Sequence, residues 1–229
     1  MTMMIMPANN TGAWVGYLAG RYEGAMGHLY SPGAECGPFP FLPYALDNGA
    51  YGAFINGRPF DVAAWRELLV WAKSCGQRPI WSLVPDIVGD RVATIAAWYA
   101  HHSAVVACGF KPAFAVQDGM TPDDVPDEAE VVFIGGSTEW KWSTAHMWCS
   151  AFPHVHIGRV NTLRWLRVAA NHGAKSVDGT GWFRGDKNQR EGLRHFLAEQ
   201  AGEVPTLAQT SVFDALGDIG CDKQSGETK

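Results

Sequence analysis

The chain predicts a compact α/β fold, a TIM-barrel-like (β/α)8 barrel with a degenerate eighth unit, on three observations. Short apolar runs alternate with capped amphipathic segments, and a strand returning to the same edge of a parallel sheet needs such a crossover. The runs are apolar throughout, as expected when both faces of a sheet are covered. Seven or eight units fit into 229 residues that are 47% hydrophobic and 18% charged. No GxGxxG follows the first run, which disfavours a doubly wound dinucleotide fold.

In chain order, residues 13–18 (Ala-Trp-Val-Gly-Tyr-Leu) read as a first strand, and the Gly/Pro-rich residues 20–43 as a long loop able to cover a site. Residues 44–46 form a strand ending in Asp47-Asn48-Gly49-Ala50-Tyr51. Asp61 caps a helix with Trp65, Leu68, Leu69 and Ala72 on its apolar face, closed by Gly76. Residues 79–84 are the next strand, ending in Pro85-Asp86. Asp90 caps a helix with Val92, Ile95, Ala96 and Tyr99 inward, stopped by Gly109. Residues 112–116 are a strand ending in Gln117-Asp118-Gly119, and a short helix is placed at 122–129. Residues 131–134 form a strand closing with Gly135-Gly136-Ser137, and a Trp-rich helix covers 139–150. Residues 154–157 are a strand followed by Gly158-Arg159, with Asn161 capping a helix that ends at His172 and Gly173. Residues 176–178 are the seventh strand, 187–200 a helix, and 206–216 a last short helix or degenerate strand. One domain thus spans 1–220, with a flexible tail at 221–229.

Composition narrows the function classes. The start of the chain has no basic region followed by a long apolar run, so neither a signal peptide nor a membrane span is expected, and the protein reads as soluble and cytoplasmic with no membrane partner. Five cysteines are scattered singly, which argues against a disulfide framework and a cysteine-rich zinc site. Residues 159–194 hold eight basic and three acidic side chains, a local balance of +5 in a chain of net charge −5. The remainder therefore carries −10, and the basic sector is either a solvated helix pair or a cationic flank for a partner.

In a (β/α) barrel the C-terminal strand ends share one mouth. Here they would gather Asp47, Asn48, Asp86, Gln117, Asp118, Gly135, Gly136, Arg159 and Asp178, a set rich in carboxylates and amides. An Asp at a strand end such as Asp178 is either a turn former or a catalyst. No histidine sits at these loop positions, so a metal is not expected. Glycosyl transfer or proton shuttling suits the set, since it needs two carboxylates in different environments. Gly135-Gly136 lets a backbone amide touch a flat ligand edge. Tyr51 is either a core residue or a ring laid on that ligand.

These segments resemble the queuine/archaeosine tRNA-guanine transglycosylases and, closer in small size, the deazaguanine transglycosylases that modify DNA in bacteria and phages. LDNGAY at 46–51 is similar to the family's DSGG(F/Y), which implies Asp47 as general acid/base and Tyr51 as the ring stacked on the base. Asp86 in VPDIVGD falls where the family reads the base with an Asp. Gln117 in FAVQDG matches the Gln of IVQG, and Gly135-Gly136 in FIGGS matches a base-reading Gly pair. Ile157-Gly158 in HIGRV resembles LMGVG, whose apolar side chain closes the base sandwich. Asp178 in SVDGTG corresponds to the nucleophilic Asp of FDCVLPTR. Six segments in order cover roughly residues 44–184. The family's zinc subdomain, with its CxCxxC, has no counterpart here, and Asp118 replaces the Gly of VQG.

The resemblance implies a base exchange in which Asp178 attacks C1′, guanine leaves with a proton managed by Asp47, and a free 7-deazaguanine base takes its place, without a cofactor. Missing zinc tilts the acceptor from tRNA to DNA, in a host-cell cytoplasm if the chain is phage-encoded. Arg159, Arg164, Arg167, Arg184 and Lys187 would track the nucleic-acid backbone. A hydrolytic nucleosidase or DNA glycosylase and a non-catalytic modified-base-binding module are the alternatives. Most of the ten tryptophans read as packing, with Trp182 open to either packing or nucleic-acid contact.

Overall fold

The computed structural model describes residues 2–10, 12–34, 38–39, 41–184 and 187–204. Within them the chain runs β1 (Met4–Pro7), α1 (Ala13–Arg21), β2 (His28–Tyr30), β3 (Tyr44–Leu46), α2 (Ala50–Ile55), α3 (Val62–Ser74), β4 (Ser82–Leu83), α4 (Arg91–Ala107) and β5 (Pro112–Val116). It continues as β6 (Val131–Ile134), α5 (Thr138–Ala151), β7 (Val155–Ile157), α6 (Leu163–His172), β8 (Ser176–Gly179) and α7 (Lys187–Gln200). The eight strands form one parallel sheet in the order β1-β8-β7-β6-β5-β4-β3-β2. Two isolated parallel bridges, Ile5 to Met26 and Ala8 to Leu29, bring β1 against β2, so the barrel is nearly closed. No helix among the described residues is long and apolar enough to cross a membrane.

Strand alternation divides the core in two. Met6, Leu29, Ala45, Trp81, Leu83, Ala113, Ala115 and Val131 face inward and pack together inside the barrel. Their neighbours, among them Ile5, Leu46, Phe114, Val116, Ile134, Ile157 and Val177, pack outward against the helices. This is why the strands read as continuous apolar runs.

The structure corrects several sequence expectations. Residues 13–18 belong to a helix, because Trp14, Val15 and Leu18 recur at helical spacing and Val15 and Leu18 are buried. The first strand is instead the short run Met4–Pro7, and a second, β2, lies inside the stretch read as a loop. No strand is missing, so β8 is the eighth. Compactness comes from the connections: among the described residues, β2 leads to β3 without an α-helix, and β5 to β6 has only the 3-10 turn Pro122–Asp124. The element expected at 206–216 and the tail at 221–229 lie outside the described residues.

The caps show how local sequence sets the helices. Asp61 accepts from the Ala64 N–H at 3.0 Å and Asp90 from Ala93 at 2.9 Å, as expected. The predicted face of α3 is buried in full, but that of α4 is rotated: Val92 and Tyr99 are 76% and 64% exposed. This helix is apolar on every side, so its period selects no face. Thr94, Trp98 and Val105 are the residues that go in, with Trp98 edge-on to Phe114. Thr162, not Asn161, caps α6; the Asn161 side chain instead accepts from the Gly181 N–H at 2.9 Å. Trp182 is fully buried, which settles it as packing.

Candidate active site at the barrel mouth

A cleft of about 1270 Å³ opens at the C-terminal strand ends. Asp47, Asp86, Gln117 and Asp178 line it together with Tyr51, Gly135, Gly136 and Arg159. Residues 47, 117, 135 and 178 each continue the inward-facing phase of their strand, the period-2 pattern that also points Ala45, Ala115 and Phe133 inward. One strand periodicity thus carries four separate segments to one mouth.

Asp178 is held by a single oxygen. Its Oδ1 lies 3.0 Å from His156 Nε2 and accepts from the Arg159 backbone N–H at 3.1 Å, while Oδ2 takes no hydrogen bond among the described residues. The Asp178 side chain is 11% exposed. Gly158 permits this arrangement: a Cβ there would lie 2.8 Å from Phe133 Cζ and 3.3 Å from Asp178 Oδ1. Gly158 therefore serves by close approach and does not itself line the cleft.

Asp47 occupies a different environment. Ser31 Oγ–H donates to its Oδ2 at 2.9 Å, with the Gly49 N–H at 3.3 Å. Part of its surface meets the cleft, but protein walls it on the other sides. This burial pushes its pKa up to about 7; Asp178 and Asp86 add repulsion, against the pull of Ser31 and Gly49. Asp47, walled by protein, and Asp178, held through one oxygen, therefore share one mouth in unlike environments.

Asp86 anchors a buried polar network. Asn48 donates to its Oδ1 at 2.7 Å and Gln117 Nε2 to its Oδ2 at 2.6 Å, while Gln117 Oε1 accepts from the Gly89 N–H. Burial raises the Asp86 pKa to about 6, opposed by the Asn48 hydrogen bond and by the charge of Arg159. Of the glycine pair, the Gly135 N–H is spent on the Val116 carbonyl, and the Gly136 N–H donates to nothing among the described residues. Gly136 has φ +65, and a Cβ there would strike Trp140 and Asp118. Asp118 is not a cleft residue: its carboxylate accepts from the Ser137 N–H and hydroxyl, fixing the start of α5.

The remaining expectations divide. Ile157 is fully buried among the outward-facing residues of the sheet, because its odd position in β7 turns it toward the helices, so it does not close a sandwich with Tyr51. Arg159 reaches into the mouth, donating to the Gly136 carbonyl and lying over the Tyr51 ring. Arg184 is exposed and lines the cleft. Arg167 is bound in a two-pronged pair with Glu199 of α7, and Arg164 lies over Trp165, so α6 gives its arginines to packing rather than to the mouth. Lys187 is exposed at the start of α7 and does not line the cleft.

Three residues beside Asp178 escape a reading of strand ends alone. His156 and Ser176 face the barrel interior one layer below the mouth, and the alternation that carries Asp178 inward also carries them. Lys141, 2% exposed, reaches from α5 to donate Nζ to the Gly158 carbonyl at 2.6 Å. Burial pulls its pKa down to about 8, with Arg159 adding repulsion and Asp178 opposing. Among the described residues no group of three or more His, Cys, Asp or Glu could hold a metal ion. No protein-family model matches the chain, and neither does any curated protein.

Proposed function

We propose that the protein is a base-exchange glycosyltransferase that replaces guanine in DNA by a 7-deazaguanine. In this reaction Asp178 Oδ2 attacks C1′ of the sugar, forming a C1′–O bond as the C1′–N9 bond breaks. The electron pair leaves with guanine, and protonated Asp47 supplies the proton. A free 7-deazaguanine then attacks C1′, expels the carboxylate and returns its proton to Asp47, so two displacements retain the anomeric configuration.

The observation that carries this reading is the pairing of two unlike carboxylates in one cleft. Asp178 has donors on one oxygen and none on the other, while burial holds Asp47 near pKa 7, able to give and take a proton at neutral pH. Supporting it, Asp86 is an acceptor matched to the N1–H and N2–H edge of guanine, and the Gly136 N–H is a donor suited to O6. Tyr51 offers a ring face for a base drawn out of its stack.

The test is mass spectrometry of the protein incubated with a guanine-containing DNA strand, with RNA in parallel and with and without a deazaguanine. A sugar adduct on Asp178 from DNA, absent in Asp178→Asn, is expected. Adducts only from RNA would move the acceptor to tRNA. Guanine release without incorporation would make the enzyme a hydrolase, and unchanged function in Asp178→Asn would leave a binding module.

A further inference from the structure

We infer that His156 is a positioning residue for Asp178, donating Nε2–H to its Oδ1, with its other nitrogen set by the Ser176 hydroxyl. This deepens the glycosyl-transfer reading and rests on it. The three residues form one line across two strands. Ser176 and Asp178 are two apart on β8, hence on the same face, and β7 and β8 pair His156 with Ser176 in register. His156 Nδ1 lies 2.8 Å from Ser176 Oγ and Nε2 3.0 Å from Asp178 Oδ1.

Chemistry fixes the direction of the bonds. In the proposed reaction Asp178 attacks as a carboxylate, which only accepts, so the ring nitrogen facing it carries a proton. The Ser176 hydroxyl can turn its own proton toward Nδ1 and leave Nε2 as the donor. The ring has no freedom to do otherwise: it is fully buried, stacked on Phe133 at 4.9 Å and edge-on to Trp81 at 4.9 Å. Neither water nor rotation can replace the bond.

The consequence is stereochemical. Together with the Arg159 N–H, His156 pins Oδ1 and thereby selects Oδ2 as the attacking atom, so Asp178 meets C1′ without a search over rotamers. A histidine that only filled the barrel core would be replaceable by an apolar residue of like size. A positioning histidine is replaceable only by a residue that keeps a donor near Nε2, and glutamine does so where leucine does not.

Two measurements test this. Nitrogen-15 NMR of the imidazole in the free protein should show Nε2 protonated; a ring protonated on Nδ1 alone overturns the inference. Single-turnover adduct formation on Asp178 should fall about 100-fold in His156→Leu with DNA affinity unchanged, and His156→Gln should recover at least a tenth of the wild-type rate. Equal rates in the leucine variant, or a loss that glutamine does not relieve in a folded protein, overturn it. Absence of any adduct in the wild type rejects the glycosyl-transfer reading, and with it His156's part in that reaction. An adduct formed by a protein with an Nδ1-protonated ring rejects the positioning role alone.

Discussion

Arg159 lays its guanidinium 4.2 Å from the centre of the Tyr51 ring while donating to the Gly136 carbonyl. Both partners belong to the proposed base site, so an arginine of this chain covers the surface on which a purine would stack. Its backbone sits at φ +60, a conformation non-glycine residues seldom adopt, and the same residue's N–H holds Asp178. Base entry must therefore displace the side chain while leaving the backbone in place.

Arg159→Gly should separate these two roles, because glycine tolerates the left-handed backbone and keeps the N–H. A cation–π contact of about 0.5–2 kcal/mol no longer competes with the base. Free guanine should then bind roughly 2- to 30-fold more tightly by calorimetry. Weaker binding would mean that the guanidinium itself holds the ligand.

Salt dependence distinguishes the arginines. Arg184 is exposed at the cleft, so Arg184→Ala should reduce the slope of log affinity for DNA against log salt by about one. Arg167 is committed to Glu199, whose side chain is 3% exposed. Arg167→Ala should leave the slope unchanged and cost about 1–3 kcal/mol of stability, because among the described residues that buried carboxylate then keeps only His195, 3.3 Å away, as an ion-pair partner. A slope that responds to Arg167 and not to Arg184 would reverse the assignment.

Gly158→Ala probes a close approach. With no positive φ at this position, the whole effect comes from a methyl placed 2.8–2.9 Å from the Phe133 ring and 3.3 Å from Asp178 Oδ1. Relief by shifting Phe133 should cost about 1–3 kcal/mol, or roughly 3–10 °C in Tm. Adduct formation should fall further than stability accounts for, since Phe133 also stacks on His156. A variant with wild-type Tm and adduct rate would show that the mouth yields freely there.

What the sequence made legible follows a physical rule. Asp47, Asp86, Gln117 and Asp178 are polar residues just past apolar runs, and a barrel carries all such positions to one end. β5 and β6 were equally plain, being four or five apolar residues between turn formers. β2 escaped because its three residues lie inside a stretch rich in Gly and Pro, whose turn formers masked it, and β1 because its methionine-rich run has no alternation to mark it. Ile157 illustrates the finer limit: one step along β7 exchanges the mouth for the outer core, so a motif match shifted by one residue names the wrong face. The commitment of Arg167 to Glu199, 32 positions away, and the reach of Lys141 to Gly158 are long-range contacts with no local signal.

The pH dependence of Asp47 provides the last prediction, and its sign follows from burial. The carboxyl moves from an ordinary value of 3.8 to about 7 in the folded protein, so between those values the native state keeps a proton that the unfolded chain has lost. Stability therefore falls as pH rises across that window and is flat above it, because the penalty of a charged Asp47 is then complete. Asp47→Asn retains an acceptor for Ser31 and Gly49 but carries no charge. Its Tm should match the wild type near pH 4 and exceed it by about 2–6 °C at pH 8. Over the same range, single-turnover adduct formation by the wild type should decline about tenfold per pH unit above 7, as the proton for departing guanine is lost. The asparagine variant should form almost no adduct at any pH. A wild type whose stability rises between pH 4 and 7 relative to Asp47→Asn would show that Asp47 is ionised in the fold, and would remove it as the acid.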